Sequence, residues 1–171
     1  KLKDVEVETP DKDDIIHEIT LLDTDLKKAA SGKEAASVIR RYFTLQDDLF
    51  SIVSLVNFHH TIDTSDERYT KLQDLLDEIL PSIEEAINQF EKDVFASSFR
   101  KELVEEFGQL YFDQIALSLK TFSSEIVPDL VEENKEVSSY IKLVSSAIIE
   151  FRGNKYSIPQ MGKFTSSLDR D

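Results

Sequence analysis

Residues 64–96 read TSDERYTKLQDLLDEILPSIEEAINQFEKDVFA, and the spacing of their apolar side chains decides the fold. Tyr69, Leu72, Leu76, Ile79, Ile83, Ile87, Phe90 and Val94 recur every three or four residues, the period of one helical face held for about seven turns. Thr64-Ser65-Asp66-Glu67 reads as a capping box, the Thr64 hydroxyl and the Glu67 carboxylate each accepting an otherwise unpaired backbone N–H. Pro81 falls inside the pattern and predicts a kink or break there.

Upstream, residues 33 to about 63 carry two apolar stripes. One runs through Tyr42, Leu45, Leu49, Ile52 and Val56, the other through Ile39, Phe43, Phe50 and Val53. Stripes on two faces imply burial on two sides. Before them, Thr9-Pro10 looks like an N-cap followed by proline at the first helical position. Ile15, Ile19, Leu22, Leu26 and Ala30 then keep one stripe, and Ser31-Gly32 reads as its end. Residues 9–63 and 64–96 are therefore expected to form a long antiparallel helical hairpin.

Downstream the elements shorten. Ser97-Ser98 caps a helix with Phe99, Leu103 and Phe107 on one face, and Gly108 terminates it. A helix over 109–122 follows, then one capped by Ser123 or Ser124 with Pro128 in its first turn. Val137, Ile141, Val144 and Ile148 continue a stripe along that last helix. The period changes at Ile149-Glu150-Phe151 and Tyr156-Ser157-Ile158, and Gly153-Asn154 between them suits a two-residue hairpin turn. The expected fold is all-α: a multi-helix, bundle-like domain with long antiparallel helices, shorter helices over 97–148, and one small β-hairpin at 149–158 near the C-terminus. Ser166-Ser167-Leu168-Asp169 is a helix-start signal with nothing behind it, and no initiator methionine is present. The expectation is a fragment, with 159–171 a truncated connection to further polypeptide; a disordered tail is the alternative.

Composition narrows the function classes. Four glycines and four prolines among 171 residues are too few turn residues for an all-β domain. Acidic residues outnumber basic ones 34 to 20, for a net charge of −14, which repels phosphate backbones and anionic lipid. Neither nucleic acid nor membrane is expected as a partner. The absence of cysteine removes disulfides, a thiol nucleophile and thiolate ligation of zinc, and is compatible with the cytoplasm, where the chain is expected.

The histidines give no complete catalytic motif. A helical zinc peptidase site requires two histidines at i and i+4 with a glutamate after the first. His17-Glu18 begins that pattern, but Leu21 stands where the second histidine belongs. His59 and His60 are neighbours on a helix and point about 100° apart, an awkward arrangement for joint ligation. His60 and Asp63 are spaced to meet at i, i+3, where a protonated His60 also favours the helix C-terminal dipole. The paired acids Asp47-Asp48, Glu84-Glu85, Glu105-Glu106 and Glu132-Glu133 read as solvated faces. No glycine-rich phosphate loop or Gly-x-Ser-x-Gly elbow occurs.

Three segments carry a resemblance. Residues 56–69, VNFHHTIDTSDERY, contain a histidine-threonine-isoleucine-aspartate-threonine run; Leu119-Lys120-Thr121-Phe122-Ser123-Ser124-Glu125-Ile126 continues to Leu130-Val131-Glu132-Glu133-Asn134-Lys135; and Ile149-Glu150-Phe151 leads to Gln160-Met161-Gly162-Lys163-Phe164 and Ser167-Leu168-Asp169-Arg170. In order and spacing these resemble the N-terminal region of oligoendopeptidase F-like zinc metallopeptidases, relatives of thimet oligopeptidase. Members often carry a basic residue where His59 stands.

The resemblance implies that the chain is the non-catalytic N-terminal lobe of a zinc metalloendopeptidase acting on short oligopeptides. It would wall the substrate channel and limit substrate size. His59, His60 and Asp63 are then candidate channel residues. Zinc belongs to the parent's catalytic lobe, whose His-Glu-x-x-His lies beyond this chain, so this chain holds neither metal nor catalytic residue. The implied partners are oligopeptide substrate and that catalytic lobe. The alternative from a different class is a helical protein-interaction module with no enzymatic parent.

Overall fold

The computed structural model describes residues 7–165. Seven α-helices and one two-stranded antiparallel sheet follow in order: α1 (Lys12–Lys28), α2 (Gly32–Ile62), α3 (Glu67–Ala96), α4 (Arg100–Phe107), α5 (Gln109–Thr121), a 3₁₀ turn (Ser124–Ile126), α6 (Val127–Ser146), β1 (Ile148–Phe151), β2 (Asn154–Ser157) and α7 (Ile158–Thr165). The all-α reading with a small C-terminal hairpin is what forms.

α3 is the spine, packing against α1, α2, α5 and α6. Its stripe becomes core: Leu72, Leu76, Ile79, Ile83, Phe90 and Val94 are buried. α2 runs antiparallel beside it, since His59 stacks on Tyr69 near the connecting turn while Tyr42 meets Phe90, ring centroids 4.5 Å apart, far from it. The second stripe of α2 faces the other way. Phe43 packs edge-on against Phe107 and Tyr111, at 5.6 and 5.3 Å, tying α2 to α4 and α5. Phe50 departs from that stripe and is 72% exposed.

Several element ends differ from the sequence reading. α1 starts at Lys12, because Asp11 accepts hydrogen bonds from the Asp13 and Asp14 N–H groups at 2.8 and 3.2 Å; a carboxylate caps more effectively than the Thr9 hydroxyl. Ser31-Gly32 begins α2 rather than ending α1. Ser31 accepts from the Glu34 N–H at 3.2 Å, and Glu34 reaches back to the Ala30 N–H at 2.9 Å. Gly32 allows α4 to lie against this helix start, with the Glu102 side chain directly over it. The expected capping box at Thr64 also shifts. Asp66 caps α3 by accepting from the Arg68 N–H at 2.9 Å, leaving Thr64 in the turn.

Pro81 does not break α3, which is continuous through it. Proline lacks the N–H that would bond the carbonyl four residues earlier, here that of Asp77. The Asn134 side chain on α6 donates to that carbonyl at 3.4 Å. The buried Asp77 carboxylate accepts from Gln73 at 2.8 Å and from the Ser138 hydroxyl of α6. α6 is thus fastened through polar contacts, and none of its residues is fully buried. The stripe Val137, Ile141, Val144 and Ile148 therefore does not enter the core.

The hairpin pairs Phe151 with Asn154, so its two-residue turn is Arg152-Gly153, not Gly153-Asn154. Both residues have positive φ, 52° and 77°, as a type I′ turn requires. Ile158, expected to end the second strand, opens α7 instead. Phe164 of that helix packs against Phe151 and Tyr156 at 4.9 and 5.1 Å. The helix-start signal at Ser166-Ser167-Leu168-Asp169 lies outside the described residues.

Candidate functional site

The corner between α2 and α3 carries His59, His60 and Asp63. His59 is 9% and His60 6% exposed, so both are packed inside rather than facing solvent. The His59 ring lies parallel to Tyr69, 4.1 Å between centroids at 8°, and edge-on to Phe58 at 5.6 Å. Its Nε2 is buried with no hydrogen-bond partner among the described residues. The Arg68 guanidinium sits 5.6 Å from the Tyr69 ring and donates to the Val7 carbonyl at 3.3 Å, pinning the segment before α1 to the corner.

Asp63 is at the surface and does not pair with His60. Its carboxylate accepts from the Ser65 hydroxyl at 2.5 Å and the Ser65 N–H at 2.9 Å. These bonds favour the ionised form and hold it below the usual aspartate range. The structure therefore groups the three residues at one corner, where His59 is committed to the Tyr69 stack and Asp63 to Ser65.

A second polar group lies where α3, α5 and α6 meet, in a groove of about 320 Å³ bordered by Glu84, Asn88, Glu91, Ser118, Phe122 and Leu130 among others. Burial raises both Glu84 and Glu91. Glu91 is opposed in this by hydrogen bonds from Ser118 and Tyr42, the latter at 3.4 Å. Gln46 donates to the same Tyr42 oxygen at 2.7 Å. The Tyr42 phenol is pushed up by burial and by the Glu91 charge.

A third cluster joins α1 to α3. Lys27 bridges Asp23 and Asp93 at 2.5 and 3.1 Å. Burial raises Asp23, and the Asp93 carboxylate adds to this. Burial also works on Asp93, but hydrogen bonds from Gln89 and Lys27 outweigh it and hold Asp93 low.

Among the described residues, no group of three or more His, Cys, Asp or Glu side chains is arranged to hold a metal ion. His17 remains on α1 with Leu21 one turn on. Among the described residues, His17 therefore lacks the second histidine that a helical zinc site requires. No helix of the described residues is long and apolar enough to cross a membrane.

Sequence reasoning missed Asp77 and Glu91, both on the α3 flank beside its apolar stripe; Glu84, read with Glu85 as a solvated face, is exposed at the edge of the groove. Asp77 had a usable signal: it stands four residues before Pro81, so its carbonyl had to find a partner outside the helix. Glu91 had none, because an acid on a helix flank looks the same whether or not another helix covers it.

A sequence model of the peptidase M3 N-terminal domain matches residues 2–122. Among solved structures, a PZ peptidase A with an inhibitor is 32% identical and superposes with a TM-score of 0.95 over 100% of this chain and 30% of its own. A structure assigned to oligoendopeptidase F is 32% identical, with a TM-score of 0.94 over 99% of this chain and 30% of its own. A third, assigned to oligoendopeptidase F from Bacillus anthracis str. Ames, is 30% identical, with a TM-score of 0.90 over 95% of this chain and 30% of its own. The chain thus spans about 30% of the length of each. Comparison with curated protein sequences finds no match.

Proposed function

The chain belongs to the peptidase M3 N-terminal domain family, and from that premise we propose that it is the non-catalytic lobe of a zinc metalloendopeptidase of the oligoendopeptidase F type. The observation that carries the proposal is the agreement over essentially the whole chain with PZ peptidase A and with the two oligoendopeptidase F structures, each about three times longer. In this reading the lobe walls the channel through which short oligopeptides reach the catalytic portion, and it limits their size. Zinc and the hydrolytic groups belong to that other portion. The parent works in the cytoplasm, a setting compatible with a cysteine-free chain.

Within this proposal the α2–α3 corner meets peptide. Asp63 presents a carboxylate that Ser65 keeps ionised. His59, through its stack on Tyr69, and the buried His60 shape the wall from behind.

The test is hydrolysis of a peptide length series by the full-length parent and by this chain, with and without a chelator. Chelator-sensitive cleavage by the parent alone is the expected result. Deleting the lobe is expected to shift the length limit. A folded deletion variant that kept the same limit would remove the size-selecting role, and cleavage by this chain alone would overturn the non-catalytic assignment.

A further inference from the structure

The packed core and the family match stop at nearly the same place. Among the described residues, the buried apolar side chains run from Val7 to Ile115, and the match ends at residue 122. α6, the hairpin and α7 follow as regular structure, and over residues 127–164 no side chain is fully buried. They are nonetheless rich in large apolar residues: Tyr140 and Leu143 are 67% and 68% exposed, and Val137, Ile141, Ile148 and Ile158 are also open.

Charge sharpens the contrast. In a chain that is 32% charged, residues 137–149 hold a single charged side chain, Lys142. Solvated helix faces are dense in charge, whereas a run this apolar and neutral has the composition of a buried seam. Isolated exposed leucines such as Leu110 and Leu117 on α5 lack this neutral surround, with Asp113 between them and Lys120 one turn on.

We propose that this face, from Val137 to Ile158, is the seat of the remainder of the parent polypeptide, which closes over it. The inference rests on reading the chain as one lobe of a longer enzyme. More than two thirds of each solved neighbour lies outside this chain, while this chain, α6 and hairpin included, matches those neighbours over 95% or more of its length. The face lies C-terminal to the matched N-terminal family region. Asp77 fixes its presentation: by holding Ser138 and, through its carbonyl, Asn134, it clamps the inner side of α6 and turns the apolar side outward.

Hydrogen exchange by mass spectrometry, on this chain and on the full-length parent, tests the assignment. Amides of 137–158 are expected to exchange tenfold or more slowly in the parent, while those of 110–117 keep their rate. The I141E/L143E pair introduced into the parent is expected to abolish that added protection and lower its Tm, whereas L110E/L117E does not; circular dichroism of both pairs in this chain serves as the folding control. Equal exchange of 137–158 in chain and parent overturns the proposal, whether or not the parent cleaves peptides. Protection that grows with concentration of this chain alone overturns it in favour of a second copy. Protection in a parent that hydrolyses no peptide supports the interface and sinks the peptidase reading instead, so the two failures are distinct.

Discussion

Removing the Asn134 carboxamide tests whether Pro81 is what makes α6 necessary to α3. With proline at 81, the Asp77 carbonyl has no intrahelical donor, and Asn134 supplies one at 3.4 Å. A neutral hydrogen bond contributes about 0.5–1.5 kcal/mol net, and at this length the lower half of that range applies, so N134A is expected to cost about 0.5–1 kcal/mol. In a P81A background the restored amide at position 81 donates to the same carbonyl, and the Asn134 bond becomes redundant. N134A is then expected to cost no more than about 0.3 kcal/mol. The cycle of urea unfolding free energies for the wild type, both single variants and the double variant isolates the difference as a coupling energy. Equal costs of N134A in the two backgrounds would refute the reasoning, because Asn134 would then stabilise α6 independently of the carbonyl that proline releases.

Three further outcomes follow from the geometry. A Cβ at Gly32 would stand 2.6 Å from the Glu102 carboxyl carbon and 2.9 Å from its Cβ. G32A is therefore expected to lose about 1–2 kcal/mol in urea unfolding, overpacking outweighing the gain in helix propensity; a neutral or stabilised variant would mean that α4 slides freely. Burial raises Glu91, so the folded state holds its proton more tightly than the unfolded state does. The stabilisation this provides is complete below the ordinary glutamate value and is lost as pH rises through the raised one. E91Q removes that dependence, and its Tm is expected to gain on the wild type across that window toward neutral pH; parallel Tm profiles would contradict the burial argument. His59 stacks on Tyr69 and leaves Nε2 unpaired. H59F is expected to be neutral or up to about 1 kcal/mol more stable, with peptide hydrolysis by the parent unchanged within twofold, whereas a large loss of activity at full stability would give the imidazole a direct role.

The long helices were legible because burial imposes a period, and a stripe such as Leu72, Leu76, Ile79 and Ile83 has no other economical explanation. Their ends were less so. At both misplaced starts a threonine and an aspartate compete for the cap, Thr9 with Asp11 and Thr64 with Asp66, and in each case the carboxylate is the one that accepts the backbone N–H groups. The hairpin turn moved one residue because Arg152 accepts a positive φ that composition assigns to glycine or asparagine. For the stripe on α6, periodicity revealed an apolar face but not what covers it. Of the candidate site, sequence located the corner; it did not reveal that packing against Tyr69 would bury His59 or that Ser65 would claim Asp63.

α2 also has a mechanical consequence. Its 31 unbroken residues span about 46 Å at about 1.5 Å rise each, and α3 runs beside it. Such a hairpin behaves as a lever: a tilt of about 5° at the end near Gly32 sweeps the far corner through about 4 Å, wider than a water molecule. For a hairpin tilting as one rod, the position of His59 depends on how Tyr42 seats on Phe90 and Gly32 beneath Glu102, several turns away, as well as on its own stack with Tyr69. Substitutions at those remote seats would change the clearance at the corner without altering a single residue there.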